Sequence, residues 1–210
     1  MLHGINGTAS GIRGYSGLDA LARHGALVVY PTADHGEWNQ APAVIGSIPD
    51  DVGYLEALAA ALQVAGCVQI RRAFATGLSN GAGMAYRLAC SSALPVVAIA
   101  TISGDYLGSD DCRLSHPVAA LAMHGTADTT VPLGGVTYGT SVHPAVERWA
   151  AGWAALDGCT ARSGLHWTGC RGSVDVRLIE IAGGKHEWFR SPSATVSVQA
   201  YFERYGLAAP

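Results

Sequence analysis

Short apolar runs alternate along this chain with apolar positions at helical spacing. Leu18 to Ala22 looks helical, and Ala26-Leu27-Val28-Val29-Tyr30 is a compact run stopped by Pro31, the pattern of a buried strand. After a long loop over residues 32–50, Val52, Leu55, Leu58, Ala59 and Leu62 recur on one helical side, with Asp50 or Asp51 as the cap and Gly66 as the stop. Ala73-Phe74-Ala75-Thr76 reads as a strand. Gly77 to Gly81 then make a sharp turn into a helix through Met84, Tyr86, Arg87 and Leu88. Val96–Ile102 and Val118–Met123 are further buried strands. Pro144 starts a helix that runs to Ala155, and Val174–Ile181 alternates as a strand near a sheet edge does. Ser191-Pro192 opens a last helix with Val198, Phe202 and Tyr205. The opening LHGINGTASG reads as a glycine-rich turn with no strand of its own. Strands alternating with helices predict a three-layer α/β fold around a mostly parallel sheet, in one domain over residues 1–210.

Composition narrows the function classes. At 49% hydrophobic and 14% charged residues the chain is globular rather than disordered. A net charge of −3 with no basic cluster argues against nucleic acid as a partner. No run approaches the roughly 18 apolar residues of a membrane span, and the first residues lack the basic and apolar regions of a signal peptide. The five cysteines, at 67, 90, 112, 159 and 170, contain no C-x-x-C pair, so zinc and thioredoxin-like chemistry are poor readings, and no metal or cofactor is expected. Their odd count leaves at least one unpaired within the chain.

The candidate chemistry centres on Gly77-Leu78-Ser79-Asn80-Gly81, which fits the G-x-S-x-G of a nucleophile elbow between a strand and a helix. A serine nucleophile needs a base, and the base needs an acid to orient it. Asp128 follows the strand ending at Met123, and His186 follows the strand ending at Ile181, which gives the order Ser, Asp, His with all three at strand C-terminal ends. Asp105 also follows a strand and is the rival acid. A tetrahedral intermediate needs two N–H donors, for which the Asn80 amide and the Ile5 amide of His3-Gly4-Ile5 are the candidates. His3 and His124 are read as structural, and His24, His35, His116, His143 and His166 as surface or loop residues. Trp38 and Trp188 flank the expected rim and are the candidate substrate-pocket residues.

LHG, YP…WN…DDVGYL, RAFATGLSNGAGMAYRLAC, MHGTADTTVPLGG, WAALDGC and GGKHEW together resemble the secreted feruloyl esterase and poly(3-hydroxybutyrate) depolymerase family of α/β-hydrolases. The resemblance runs from His3 to about Trp188. It implies an α/β-hydrolase fold and a triad of Ser79, Asp128 and His186. It also implies disulfides Cys90–Cys112 and Cys159–Cys170, which would leave Cys67 odd, and a secreted monomer acting on an ester substrate, small or polymeric. The implied activity is hydrolysis of feruloyl or acetyl esters of plant cell-wall polysaccharide. The alternatives are a polyhydroxyalkanoate or other polyester as substrate, or a non-catalytic remnant of the fold. This chain departs from the family at its start. The strand that ends in LHG is reduced to Met1-Leu2, so the N-terminal strands of the fold are expected to be missing, with apolar strand sequence and a signal peptide encoded upstream.

Overall fold

The computed structural model describes residues 1–42, 49–108 and 111–207. Its helices are α1 (Ala9–Ser16), α2 (Asp51–Val64), α3 (Asn80–Ser91), α4 (Val146–Leu156) and α5 (Ala194–Arg204). Its strands are β1 (Ala73–Leu78), β2 (Val96–Ile102), β3 (Ala119–Gly125), β4 (Val136–Tyr138), β5 (Ser141–His143), β6 (Ala161–Ser163), β7 (His166–Thr168) and β8 (Val176–Ile181). Six of these strands form one sheet in the order β1-β2-β3-β8-β7-β6. The pairs β1–β2, β2–β3 and β3–β8 are parallel, and the β6–β7 hairpin continues the sheet antiparallel to β8.

The layers follow from the two-residue period of a strand. On β3, Ala120 and Ala122 join one apolar cluster with Met84 and Tyr86 of α3 and Trp149 and Trp153 of α4. Ala119, Leu121 and Met123 join the other cluster, with Leu18, Leu21 and the Val198 and Phe202 side of α5. β3 is buried along its whole length because it is covered on both faces. This is the mostly parallel three-layer arrangement expected of an α/β-hydrolase.

Two expectations about strands fail for the same kind of reason. Residues 26–30 are not a strand. On the flank of β1 away from β2, only Leu2 among the described residues lies in strand register, in a parallel bridge with Gly77, with the Leu2 amide on the Thr76 carbonyl at 2.9 Å. Met1 N bonds the Val29 carbonyl at 2.8 Å. Beyond these contacts lies a cavity of about 640 Å³ lined by Val28, Leu55, Phe74, Leu88 and Phe202 among others. Without a neighbouring ladder, residues 26–30 do not join the sheet. The second correction concerns β8, which is fourth in the sheet rather than near an edge. Along it Val176, Leu178 and Ile181 are buried, while Arg177 and Glu180 are exposed.

Helix α1 and the β4–β5 hairpin have no counterpart in the sequence pattern. Glycines at 4, 7, 11 and 14 mask the helix, yet Thr8 caps it by accepting the Gly11 amide at 3.0 Å and Gly17 closes it at φ 64°. Asp50 rather than Asp51 caps α2, accepting the Gly53 amide at 2.9 Å. The disulfides Cys90–Cys112 and Cys159–Cys170 are both formed, and Cys67 is free and exposed.

Asp175, at the foot of β8, fastens α5 to the sheet. Its buried carboxylate meets His166 Nε2 at 2.6 Å, Arg204 Nη1 at 3.0 Å, the Tyr201 hydroxyl at 3.0 Å and the Tyr205 hydroxyl. Burial alone would raise its pKa. Hydrogen bonds from Tyr205, His166 and Tyr201 and the charge of Arg204 outweigh burial and hold the carboxyl below its usual range. A depressed carboxyl pKa contributes stability above the unfolded value and loses it as pH falls through the folded value. Asp175→Ala is therefore expected to cost about 3 kcal/mol at neutral pH by stripping a buried cluster of its acceptor. The gap between variant and wild type should narrow below about pH 4, near the free carboxyl value, in urea unfolding. An unchanged gap at acidic pH would show that the carboxylate charge is not what stabilises this corner.

Candidate active site

Ser79 stands between β1 and α3 at φ 57° and ψ −125°. A non-glycine residue in that region costs on the order of 1–3 kcal/mol and persists only where its surroundings fix it. Here the Ser79 amide donates to the Ile102 carbonyl at 3.0 Å, and its own carbonyl accepts from Ala82 at 2.9 Å, Gly83 at 3.1 Å and Asp105 at 3.3 Å. The flanking glycines are needed for closeness. A Cβ on Gly77 would run into the Gly81 carbonyl, and one on Gly81 into the carbonyls of His3 and Leu2.

Of the amides named from sequence, that of Asn80 opens α3 directly after the serine, and that of Ile5 follows Gly4 in the chain. Neither the Ile5 nor the Asn80 amide has an acceptor among the described residues. Gly4 rests against the serine, since a Cβ there would sit 3.3 Å from Ser79 Cβ and 3.9 Å from Oγ. The Asn80 side chain is locked separately. Its Oδ1 accepts the Trp38 amide at 2.8 Å and its Nδ2 donates to the Trp38 carbonyl at 2.9 Å. The Trp38 indole N–H in turn donates to the His3 carbonyl at 3.0 Å. Trp38 is wholly buried, so its role as a pocket residue is corrected to that of a brace between the elbow and the Gly4-Ile5 turn. Trp188 is likewise buried rather than lining the rim. Its indole N–H donates to Thr195 Oγ1 at 3.0 Å, which ties the loop after β8 to α5.

Asp128 and His186 are in contact, with Asp128 Oδ2 and His186 Nδ1 2.8 Å apart. The carboxylate is fully buried, and its Oδ1 accepts the amides of Thr130 and Val131, both at 2.9 Å. An acceptor facing Nδ1 assigns the proton to that nitrogen and leaves a lone pair on Nε2. Gly125 allows the acid and histidine loops to pack back to back, because a Cβ there would collide with the Gly184 carbonyl. Ser103, at the end of β2, bonds both the carbonyl and the amide of Glu187, at 3.1 and 3.3 Å, and so holds the histidine loop next to the elbow. Ser79, Asp128 and His186 thus sit at the C-terminal ends of β1, β3 and β8, on one rim.

Several histidines have partners that the sequence pattern did not reveal. His124 Nε2 lies 2.8 Å from the Val131 carbonyl and 3.3 Å from Asp128 Oδ2, so it braces the acid loop from below. His143 Nδ1 lies 2.6 Å from Asp105 Oδ1, while Gln40 Nε2 donates to Asp105 Oδ2 at 3.1 Å. Sequence spacing could not pair His143 with Asp105, because the β4–β5 hairpin that carries it had no signal. His166, also read as a loop residue, belongs to the Asp175 cluster. Among the described residues no group of three or more His, Cys, Asp or Glu is arranged to hold a metal.

No family model matches the chain. Feruloyl esterase C of Emericella nidulans is 33% identical over 138 residues, 65% of this chain and 48% of that protein. Feruloyl esterase B of Piromyces equi is 27% identical over 206 residues, 88% of this chain and 38% of that protein. The chain spans about half the length or less of these curated relatives. The acetyl xylan esterase from Aspergillus awamori superposes at a TM-score of 0.67 with 18% identity, covering 96% of this chain and 86% of that one. Esterase PE8 superposes at 0.64, also with 18% identity, covering 97% and 89%. The chain resembles feruloyl esterases in sequence and has the α/β-hydrolase fold.

His124 carries a pH signature. It is fully buried, and burial pushes its imidazole pKa below the usual value of 6.5. The folded state then binds fewer protons than the unfolded one, so stability is complete above about pH 6.5 and declines as pH falls below it. His124→Gln is expected to flatten this decline between about pH 6.5 and 5 in chemical unfolding, at some cost in stability at about pH 8. An equally steep decline in the variant would assign the effect to another group.

Proposed function

We propose that this chain is a serine carboxylic ester hydrolase that cleaves feruloyl or acetyl esters of plant cell-wall polysaccharide. The observation that carries the reading is Ser79 in a strained turn with two unbonded amides beside it, on the rim that also bears an oriented His186–Asp128 pair. In this mechanism His186 Nε2 takes the Ser79 hydroxyl proton as Oγ bonds the acyl carbon. The Asn80 and Ile5 amides stabilise the oxyanion, and the Asn80–Trp38–His3 bonds hold both donors in place before substrate arrives. Collapse breaks the ester C–O bond, and His186 returns the proton to the leaving alcohol. Water then repeats the sequence on the acyl-enzyme. Asp128 holds the imidazole and stabilises its cation.

Likeness to proteins named feruloyl esterase and acetyl xylan esterase supports the substrate class. Two disulfides support maturation in an oxidising, extracellular compartment.

Labelling by a fluorophosphonate should modify Ser79 and no other residue. Ser79→Ala and His186→Ala should each lower kcat by roughly 10³-fold or more, since the members act as a unit. Asp128→Asn should fall strongly and Asp105→Asn mildly. If Asp105→Asn were the more damaging, the acid would be Asp105 and the base His143. Methyl ferulate and acetylated xylan should be turned over faster than polyhydroxybutyrate, and the reverse order would reassign the substrate to polyesters.

A further inference from the structure

The β4–β5 hairpin leaves the sheet directly after the acid loop and is pinned to the nucleophile side of the rim. Its two ends meet at Gly135, where a Cβ would press on the His143 carbonyl and the Ala145 amide. His143, the last residue of β5, bonds the Asp105 carboxylate at 2.6 Å. The Asp105 amide bonds the Ser79 carbonyl at 3.3 Å. The hairpin is therefore two contacts from the nucleophile.

Its register decides which side chains face the site. Val136 pairs with His143, Thr137 with Val142 and Tyr138 with Ser141. Directly opposed residues share a face, so Tyr138 lies on the face that His143 turns toward Asp105, while Thr137 and Val142 point the other way. The two rings meet edge to face at 5.5 Å and 75°. Tyr138 is 57% exposed although it is a large aromatic on the inward face. His143 donates from Nδ1 to Asp105, which leaves Nε2 with a lone pair and no partner among the described residues.

We propose that Tyr138 and His143 form an aryl subsite for the acyl group of the ester. Tyr138 takes the planar ring against its own, and His143 Nε2 accepts the phenolic O–H. The Asp105–His143 bond positions the hairpin and fixes the imidazole in the accepting tautomer. The subsite explains how a rim whose two tryptophans are buried still offers an aromatic surface. It rests on the ester-hydrolase reading, and binding can be measured apart from turnover.

The test titrates free ferulate onto Ser79→Ala protein by fluorescence, and compares methyl ferulate with methyl acetate on active protein. In Tyr138→Ala, ferulate affinity and the methyl ferulate to methyl acetate ratio of kcat/KM should both fall about tenfold, carried by KM, the loss of one stacking contact. Tyr138→Phe should restore both, and Val142→Ser, on the outward face, should change neither. Unchanged affinity and ratio in Tyr138→Ala would overturn the subsite while leaving the esterase standing. Tyr138-dependent ferulate binding by a wild type that hydrolyses no ester would uphold the subsite and refute the esterase. Loss of methyl acetate hydrolysis in His143→Ala to the level of Ser79→Ala would make His143 the base and overturn its role in the subsite.

Discussion

The backbone of Ser79 is the constraint on which the rest depends. At φ 57° it is held by bonds to β2, to the first turn of α3 and to Asp105, and it can exist only because Gly77 and Gly81 let strand, helix and the His3-Gly4 turn approach without side chains between them. That one geometry sets the serine at the tip, frees the Asn80 amide at the helix start and brings Gly4 against the hydroxyl carbon. Strain of this kind is stored only where neighbours over-determine it. Here the neighbours are the Asn80–Trp38 amide pair and the indole bond to His3.

Two histidine–aspartate pairs flank this turn, and their surroundings separate them. Asp128 is wholly buried and receives two backbone amides together with His186 and His124. An acid so saturated is fixed in orientation. Asp105 is partly open and shares its oxygens between a glutamine and a histidine on a short hairpin. The first arrangement suits a base that must shuttle a proton, and the second a latch between a wall and the floor of the site.

The parallel core was legible because β1, β2 and β3 are covered on both faces and so appear as unbroken apolar runs. The turn at Ser79 and the meeting of Asp128 with His186 were legible because chain order and places after strands can be read without contacts. What escaped were features decided in three dimensions. Trp38 and Trp188 carry no mark in sequence that separates a brace from a pocket wall. His143 and His166 lacked partners within reach along the chain. Helix α1 hid behind four glycines, and its capping threonine outweighed their low propensity. Residues 26–30 have strand composition, but a strand also requires a neighbour.

The half-paired flank of β1 is finished by residues from the far end of the chain. Beside Leu2, Phe74 and the buried Thr76 face the cavity, which Val28, Leu55 and Phe202 wall on its other sides. Arg71 and Arg72 stand immediately before the strand, and Arg72 reaches the Gly206 carbonyl at 3.3 Å to close α5 over that end. This end of β1 is therefore complete only with α5 in place, so the first strand of the sheet and the last helix of the chain close on each other.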